Sequence, residues 1–411
     1  MFNFLKKIYN NRLLISRMIR MRFYYCLSSC IHGRKHHPED AEKFQQEIVN
    51  KIKSGKGCNV ALLMVGKGIG DAIVLSGFID ILKQHSCKVS VICYDRLMNV
   101  VPSFLSTVDE FILVDKHDCA LKYMFNRKNF DVVVDLFDPD VNFDHHKLKF
   151  FLKLKCHNII GFNQDNNTLT FIPSPGMEDT ERHYSNVVKN FYAKSYTYNE
   201  TQPFSHRAVK ILNEYFGLNI PSEKYRYRLD ISDKTDSSVS SYIRELKNNS
   251  SKEGCTPQII VFNATASDKY RSLSPDLVNR MCEYFISCTN EYRVIIMNFK
   301  QEDLKVTSPK IIFNPFKTFD EVIALIKYAD FVISPDTSIV HVGCTFDKNA
   351  IYFYNNRLLN TGHENNVVWG PINKNYLQVF SDQFVRNVHG DDLRELKFSI
   401  VKDALIKMEI I

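Results

Sequence analysis

The 411-residue chain has no C-x-x-C pair and no group of cysteines and histidines with zinc spacing. Its eleven cysteines are scattered and odd in number, which excludes a disulfide scaffold and fits reduced thiols in a cytosolic protein. Cys26 and Cys30 stand four apart, but no second pair follows to complete a metal site. No run of about 18 apolar residues occurs, so no membrane span is expected. No Walker A loop is present, since Gly-x-x-x-x-Gly-Lys-Ser/Thr appears nowhere. No export signal is expected either. "LSSC" at 27–30 has the form of a bacterial lipoprotein cleavage box, but Arg17, Arg20 and Arg22 break the apolar core such a leader needs. Acidic residues are missing from residues 1–38, which hold eight Lys or Arg.

What is there is ordinary for a globular protein: 45% apolar and 24% charged residues. The length points to two domains, because single cores seldom grow beyond about 250 residues. The net charge of +7 favours an acidic partner, such as phosphate, an anionic lipid surface or nucleic acid. Within residues 1–30, Leu5, Ile8, Ile15 and Ile19 fall near one helical face with basic residues around it. Such a helix can lie on an anionic membrane or pack on protein. Residues 31–57 read as a polar connector around a short helix, "PEDAEKFQQEIVNKIK".

From Asn59 onward the pattern alternates. Strand-like runs at 60–65, 88–94, 110–114, 131–136 and 158–162 are separated by helical stretches, clearest at 71–84 and 119–128, and a helix at 183–193 closes the unit. Residues 196–257 are polar and less regular, with a helix inside "SDKTDSSVSSYIRELKNNSSKEG". The alternation then restarts: strands at 258–263, 292–298, 310–313, 331–334 and 350–354, helices at 274–288, 318–328 and 337–345, and a last amphipathic helix in the tail. Two βαβ series imply two doubly wound α/β domains, each a parallel sheet covered on both faces. The expected divisions are an extension (1–57), a first Rossmann-like domain (58–205), a linker with a helix (206–257), a second Rossmann-like domain (258–390) and a C-terminal helix (391–411). Ligands of such sheets bind beyond the carboxyl ends of the strands.

Three stretches carry chemistry. In "VGKGIGDA", Gly66, Gly68 and Gly70 allow a tight strand-to-helix turn and close ligand approach, and Asp71 stands at or near the helix N-cap. A dinucleotide motif would need glycine where Asp71 sits. In "FVISPDTSIVHVG", a strand ends before Asp336, and Thr337 and Ser338 open a helix whose N–H groups make a phosphate cradle, with His341 near it. Plain capping and a packed histidine is the bland alternative. In "VFNATASDKYRSLSPD", Lys269 and Arg271 follow a strand terminus, as suits a diphosphate or any solvated loop. "DLFDPD" offers Asp135, Asp138 and Asp140 as a candidate metal triplet, and Trp369 in "WGPINK" is placed at the cleft.

Together and in this order, the three stretches resemble the bacterial glycosyltransferase family 9, the heptosyltransferase family of lipopolysaccharide synthesis, over about residues 58–380. The resemblance implies the GT-B architecture, two doubly wound domains facing across a cleft. It implies that Asp71 is the general base and that Lys269 helps hold the donor diphosphate. The family's D-T-x-x-x-H segment falls on Asp336, Thr337 and His341, with Ser338 and Ile339 supplying N–H groups. A family glutamate that holds the donor's ribose falls on Glu302. Ser338 stands where the family often has glycine, and the glycine usual before the glutamate is replaced around Asn298 and Phe299.

The resulting expectation is an inverting transferase that moves a sugar, heptose from ADP-heptose by the resemblance, onto a glycolipid of the lipopolysaccharide core. Asp71 would take the acceptor proton, and Lys269, Arg271 and the helix start at 336–339 would stabilise the leaving diphosphate. No metal or other cofactor is expected. The chain is expected to be cytoplasmic, peripheral on the inner face of the bacterial inner membrane, with residues 1–30 on the anionic surface. The rivals are another sugar-nucleotide enzyme on this fold, such as an epimerase, and a non-catalytic nucleic-acid binder. The second lacks any aromatic-basic RNA motif.

Overall fold

The computed structural model describes residues 38–64, 67–114, 129–137, 156, 158–162, 192–197, 201–249, 256–359 and 362–410. The basic segment 1–30 and the expected helix at 119–128 lie outside these residues, as does nearly all of the one expected at 183–193.

The first sheet is built from β1 (Asn59–Leu63), β2 (Lys88–Tyr94), β3 (Glu110–Val114), β4 (Val132–Asp135), β5 (Ile159–Phe162) and β6 (Lys194–Tyr196). The second holds β7 (Gln258–Asn263), β8 (Tyr292–Met297), β9 (Ile311–Phe313), β10 (Phe331–Pro335), β11 (Asn349–Tyr354) and β12 (Tyr376–Phe380). All pairs within both sheets are parallel. The orders are β3-β2-β1-β4-β5-β6 and β12-β11-β10-β7-β8-β9. Counted within each domain, both read 3-2-1-4-5-6, the doubly wound order. Central strands are apolar on both faces because helices cover both, so "VALL" in β1 and "IIVFN" in β7 are buried throughout. Two strands escape the sequence pattern, β6 and β12. Each is an edge strand with a single neighbour and carries polar residues, "KSY" and "YLQVF".

The helix Ile69–Gln84 is apolar nearly all round. One side packs on the sheet and another is crossed by the chain at 225–228. Tyr225 donates its hydroxyl to the Val74 carbonyl at 2.9 Å, and the Arg228 N–H donates to Ser76 Oγ at 2.7 Å. Gly77 makes that crossing possible, since a Cβ there would lie 2.2 Å from the Arg226 carbonyl oxygen.

Two expected divisions are redrawn. The helix Pro38–Lys53 is no loose connector. It buries Ala41, Ile48 and Ile52, and its Gln45 Oε1 accepts from Lys194 Nζ at 2.7 Å. The 206–257 stretch splits between the domains. Its helix Ser205–Glu214 packs on the helix Ile69–Gln84, whereas the helix Asp233–Asn248 packs on the helix Phe319–Tyr328 of the second domain. Asp236 is held there by Lys327 Nζ at 2.7 Å and by the Tyr328 hydroxyl at 2.8 Å. The tail forms a 3-10 turn, Leu393–Glu395, and a shorter helix, Phe398–Lys407, that packs on the second domain through Tyr284 and Phe398.

Candidate active site in the interdomain cleft

A cleft of about 1110 Å³ lies between the domains, lined by residues at the carboxyl ends of both central strand pairs. Lys67 and Gly68 follow β1, Phe137 follows β4, Asn263 and Thr265 end or follow β7, and Asp336 and Thr337 follow β10. In each sheet the strand order reverses at that pair, which is where such sheets open a crevice. Among the described residues its lining carries Lys67, Arg207, Arg271, Lys317 and Arg357 but only two carboxylates, Asp71 and Asp336. That balance suits a polyanion.

Asp71 is half-buried at the third position of the helix Ile69–Gln84, not at its N-cap, which is Gly68. Its Oδ2 reaches back to accept the Gly68 N–H at 2.7 Å. Gly68 has an extended backbone (φ −114°), so its glycine is not demanded by conformation. Gly70 sits in a tight place. A Cβ there would lie 3.3 Å from His341 Cδ2 and 3.7 Å from the Ser338 Cα of the second domain. The two domains therefore touch one residue before Asp71. Gly66 lies outside the described residues.

On the facing side Thr337 caps the helix Ser338–Thr345, and its hydroxyl accepts the Ile339 N–H at 3.2 Å. That N–H, expected as a phosphate donor, is thus already engaged by the cap. Ser338 is half-buried and lines the cleft. Asp336 is buried and accepts from Arg271 Nη1 at 3.1 Å and from Asn365 Nδ2 at 3.0 Å. Arg271 also donates to the Asp336 carbonyl at 3.0 Å and to Ser267 Oγ at 3.1 Å, while its Nε is buried without a partner. His341 is buried, with its ring against Tyr227 and its Nδ1 unpartnered. Burial pushes its pKa down from 6.5 to about 4, against the pull of Asp336. Neutral at physiological pH, it brings no positive charge to a diphosphate.

Two expected residues fall elsewhere. Lys269 is exposed, lies 4.9 Å from the Tyr270 ring centroid and does not line the cleft. It shares a single 3-10 turn with Arg271, whose side chain takes the inward direction. Glu302 is exposed on the turn Gln301–Asp303 and is also absent from the lining. Asn298 and Asn314 line that end of the cleft instead. Asn298 has φ +54° and donates to Asn263 Oδ1 at 2.7 Å.

Sequence reasoning missed Arg207, Lys317 and Arg357, which belong to no motif. A signal existed for Arg207: it falls on the buried face of the helix Ser205–Glu214. Also unforeseen was a three-ring stack across the cleft. Phe204 lies 5.1 Å from Phe137 and 4.8 Å from Trp369, nearly parallel to both, with Lys67 5.0 Å from the Phe137 centroid and Arg207 5.2 Å from that of Phe204. Trp369 stands at the cleft as expected. In "DLFDPD", Asp135 is buried and accepts the Tyr192 hydroxyl at 2.6 Å, while Asp138 and Asp140 lie outside the described residues. Among the described residues no three His, Cys, Asp or Glu side chains are grouped to hold a metal ion, and no helix is long and apolar enough to cross a membrane.

Residues 168–389 match the model of glycosyltransferase family 9 (heptosyltransferase). The putative lipopolysaccharide heptosyltransferase 4 of Escherichia coli K12 is 23% identical over 350 residues, covering 83% of this chain and 87% of that protein. Among solved structures, a family 9 glycosyl transferase from Veillonella parvula superposes with a TM-score of 0.60 at 13% identity, covering 86% of this chain and 97% of that one. The E. coli heptosyltransferase WaaC with ADP gives 0.55 at 13% identity, covering 86% and 98%. Both share the two-domain fold found here.

Proposed function

The chain belongs to glycosyltransferase family 9, the heptosyltransferase family, and is a glycosyltransferase of GT-B fold; from that premise we propose that it moves a sugar from a nucleotide-diphosphate donor to a glycolipid acceptor, with inversion at the anomeric carbon. The observation that carries this reading is the cleft's charge: five cations against two carboxylates, one of which, Asp336, is tied to Arg271.

In the proposed step an acceptor hydroxyl oxygen attacks the anomeric carbon as the bond to the diphosphate oxygen breaks. The hydroxyl proton passes to Asp71. A carboxylate has about four lone-pair sites, so accepting the Gly68 N–H does not by itself prevent it from accepting a proton. Negative charge grows on the departing diphosphate, and Arg271, Lys317 and the start of the helix Ser338–Thr345 stabilise it, the helix end by its dipole. Of the expected donor contacts, Arg271, Asp336, Thr337, Ser338, Ile339 and His341 line the cleft; we assign the diphosphate contact to Arg271 and Ser338, with Asp336 holding Arg271, Thr337 capping the helix over the Ile339 N–H, and His341 as neutral packing beside them. For Lys269 and Glu302 the proposal would need the loops to rearrange around the donor. No metal or other cofactor takes part in the proposed step.

ADP-heptose is the proposed donor and the lipopolysaccharide core the proposed acceptor; in support, one E. coli relative is named a putative lipopolysaccharide heptosyltransferase and the E. coli heptosyltransferase WaaC was solved with ADP. We place the enzyme on the cytoplasmic face of the inner membrane, with the basic residues 1–30 on anionic lipid. The test is transfer from ADP-heptose and from UDP-sugars to purified acceptor, with the product's anomeric configuration read by NMR. Retention of configuration, or turnover of donor without an acceptor, would overturn the reading.

A further inference from the structure

Two of the scattered cysteines meet in the fold. Cys58 and Cys87 stand 29 positions apart in the chain, yet their sulfurs lie 3.4 Å from one another and share a hydrogen bond. Neither takes part in the proposed reaction. They precede β1 and β2, at the amino ends of the strands, whereas the cleft opens at the carboxyl ends.

The sheet register sets them side by side. The parallel pairing of β1 and β2 begins at Asn59 and Lys88, so each cysteine is the residue just before the first matched pair. The Lys88 N–H donates to the Cys58 carbonyl at 2.9 Å, which carries the ladder back to the cysteines. Adjacent strands run about 4.7–4.9 Å apart, within the Cα separations that a disulfide spans, and residues in register point to the same face.

The close approach is built into the backbone. Gly57 has φ +64°, and a Cβ on it would lie 2.0 Å from the Ser86 carbonyl oxygen and 2.9 Å from the Cys87 nitrogen. Ser86 has φ +62°. Two left-handed residues thus turn both chains into the sheet in contact, with no side chain between them. The Cys87 N–H donates to the Leu82 carbonyl at 3.1 Å, which ties this entry to the end of the helix Ile69–Gln84. With both backbones held, the sulfurs need only close from 3.4 Å to the roughly 2.05 Å of a bond, a movement that side-chain rotation can supply.

The two thiols are not equivalent. The hydrogen bond between them holds the proton on Cys58, whose pKa it raises together with burial. The same bond lowers the pKa of Cys87 against its burial, and Lys83 adds to the lowering. The thiolate is the attacking form, so Cys87 is the first to react. Both thiols are buried, but Lys56, Asn59, Ser86 and Lys88 around them are exposed. A small oxidant reaches the pair by local opening of two strand ends.

We propose that Cys58 and Cys87 are a reversible dithiol–disulfide pair, closed by hydroperoxide, that clasps β1 to β2 at the root of the unit carrying Asp71. The Cys87 thiolate attacks one peroxide oxygen. The O–O bond breaks, the departing hydroxide takes up the proton that Cys87 had lost, and Cys87 is left as a sulfenic acid. The Cys58 sulfur then attacks the Cys87 sulfur. The S–S bond forms, the S–O bond breaks, and the leaving hydroxide takes the Cys58 proton as a second water. The two thiols together give up two electrons, which the peroxide accepts. The bond closes β1, the helix Ile69–Gln84 and β2 into one ring, which restricts the unfolded chain.

The test uses the full chain, reduced and then treated with hydrogen peroxide, without donor or acceptor, so its outcome does not depend on the proposed reaction. The chain is alkylated in denaturant, digested and mapped by mass spectrometry. The expected result is a pair of peptides joined through Cys58 and Cys87 and released by dithiothreitol, with Tm about 5 °C above that of the reduced chain. Cys87→Ser should show neither the joined peptides nor the rise. Recovery of both residues as alkylated thiols, their separate oxidation to sulfinic acids, or a bond from either to another cysteine overturns the proposal. An oxidised chain that melts at or below the reduced one overturns the clasp equally.

Discussion

Both domains repeat one strand order, and each sets an aspartate where a central strand gives way to a helix, but the two carboxylates are held differently. Asp336 is buried and bridged by Arg271 and Asn365, so its charge is neutralised on the spot. Asp71 caps its own helix through Gly68 and stands half-buried where the domains meet at Gly70. A carboxylate locked to a guanidinium builds a site, because giving up that pair leaves an uncompensated buried charge. A half-buried carboxylate on the cleft wall, with one oxygen on a backbone N–H, stands where the proposed reaction needs a proton acceptor. Under the proposed reaction, the same residue type at equivalent stations thus divides into scaffold and chemistry.

Substitution should widen that contrast. Asp71→Asn is expected to reduce transfer by about a hundredfold or more, the scale of losing a general base, with nucleoside diphosphate affinity unchanged. Near-normal turnover in steady-state assays would demote Asp71 to a helix cap. Asp336→Asn should act on the other axis. Leaving Arg271 half-paired is expected to cost about 3 kcal/mol of stability in denaturant unfolding and to weaken donor binding in calorimetry. If Asp336→Asn unfolds like the unaltered protein, the scaffold role is wrong.

Histidine 341 sharpens the comparison by pH. Its pKa is about 4 in the folded chain against 6.5 ordinarily, because burial disfavours the cation. Above the ordinary value neither state is protonated and the full stability is present. As pH falls from 6.5 towards 4 the unfolded chain binds a proton that the folded chain does not, so stability declines, by up to about 3 kcal/mol. His341→Gln should flatten that slope in unfolding curves taken at pH 4.5 and 7, and an unchanged slope would refute the assignment.

Gly70→Ala tests the seam at smaller scale. Its Cβ would press on His341 at 3.3 Å, and the expected effect is a roughly tenfold fall in kcat/KM, since small misplacements of reacting groups are costly. Gly77→Ala, set 2.2 Å from a backbone carbonyl, should lower Tm clearly. An equal loss of Tm in both would remove the distinction between seam and scaffold. The smallest effect expected is none at all: excess EDTA should leave transfer unchanged, since guanidinium and ammonium groups are proposed to meet the diphosphate. Activity lost to chelator and restored by Mg²⁺ would replace that account.

Most of the fold was legible because strands covered on both faces carry continuous apolar runs, as "VALL" in β1, "VVV" in β4, "IIVF" in β7 and "FVI" in β10 do. The strands β6 and β12 were not, since "KSY" is too short and polar and "YLQVF" is interrupted by Gln378, whereas the other two edge strands, β3 and β9, keep the apolar runs "FILV" and "IIF". In the site, Asp71 and the 336–341 segment were readable because a strand-to-helix turn fixes where its residues point. Lys269 and Glu302 sit on 3-10 turns, where a neighbour two positions away faces elsewhere, and spacing alone does not say which one enters the cleft. Arg207 and the ring stack depend on how the chain near 204 folds against both domains. The N–H of Phe204 donates to the Val368 carbonyl at 2.8 Å, a contact between residues far apart in sequence.

That stack has a spectroscopic consequence. Trp369 is the single tryptophan of the chain, and it rests against Phe204 and Phe137, where the chain near 204 meets the second domain through the Phe204 N–H on the Val368 carbonyl. The ultraviolet emission of the unaltered protein is therefore a native optical gauge of one place, the cleft floor. Any change in domain spacing that unstacks these rings should register as a shift in that emission, with no dye attached.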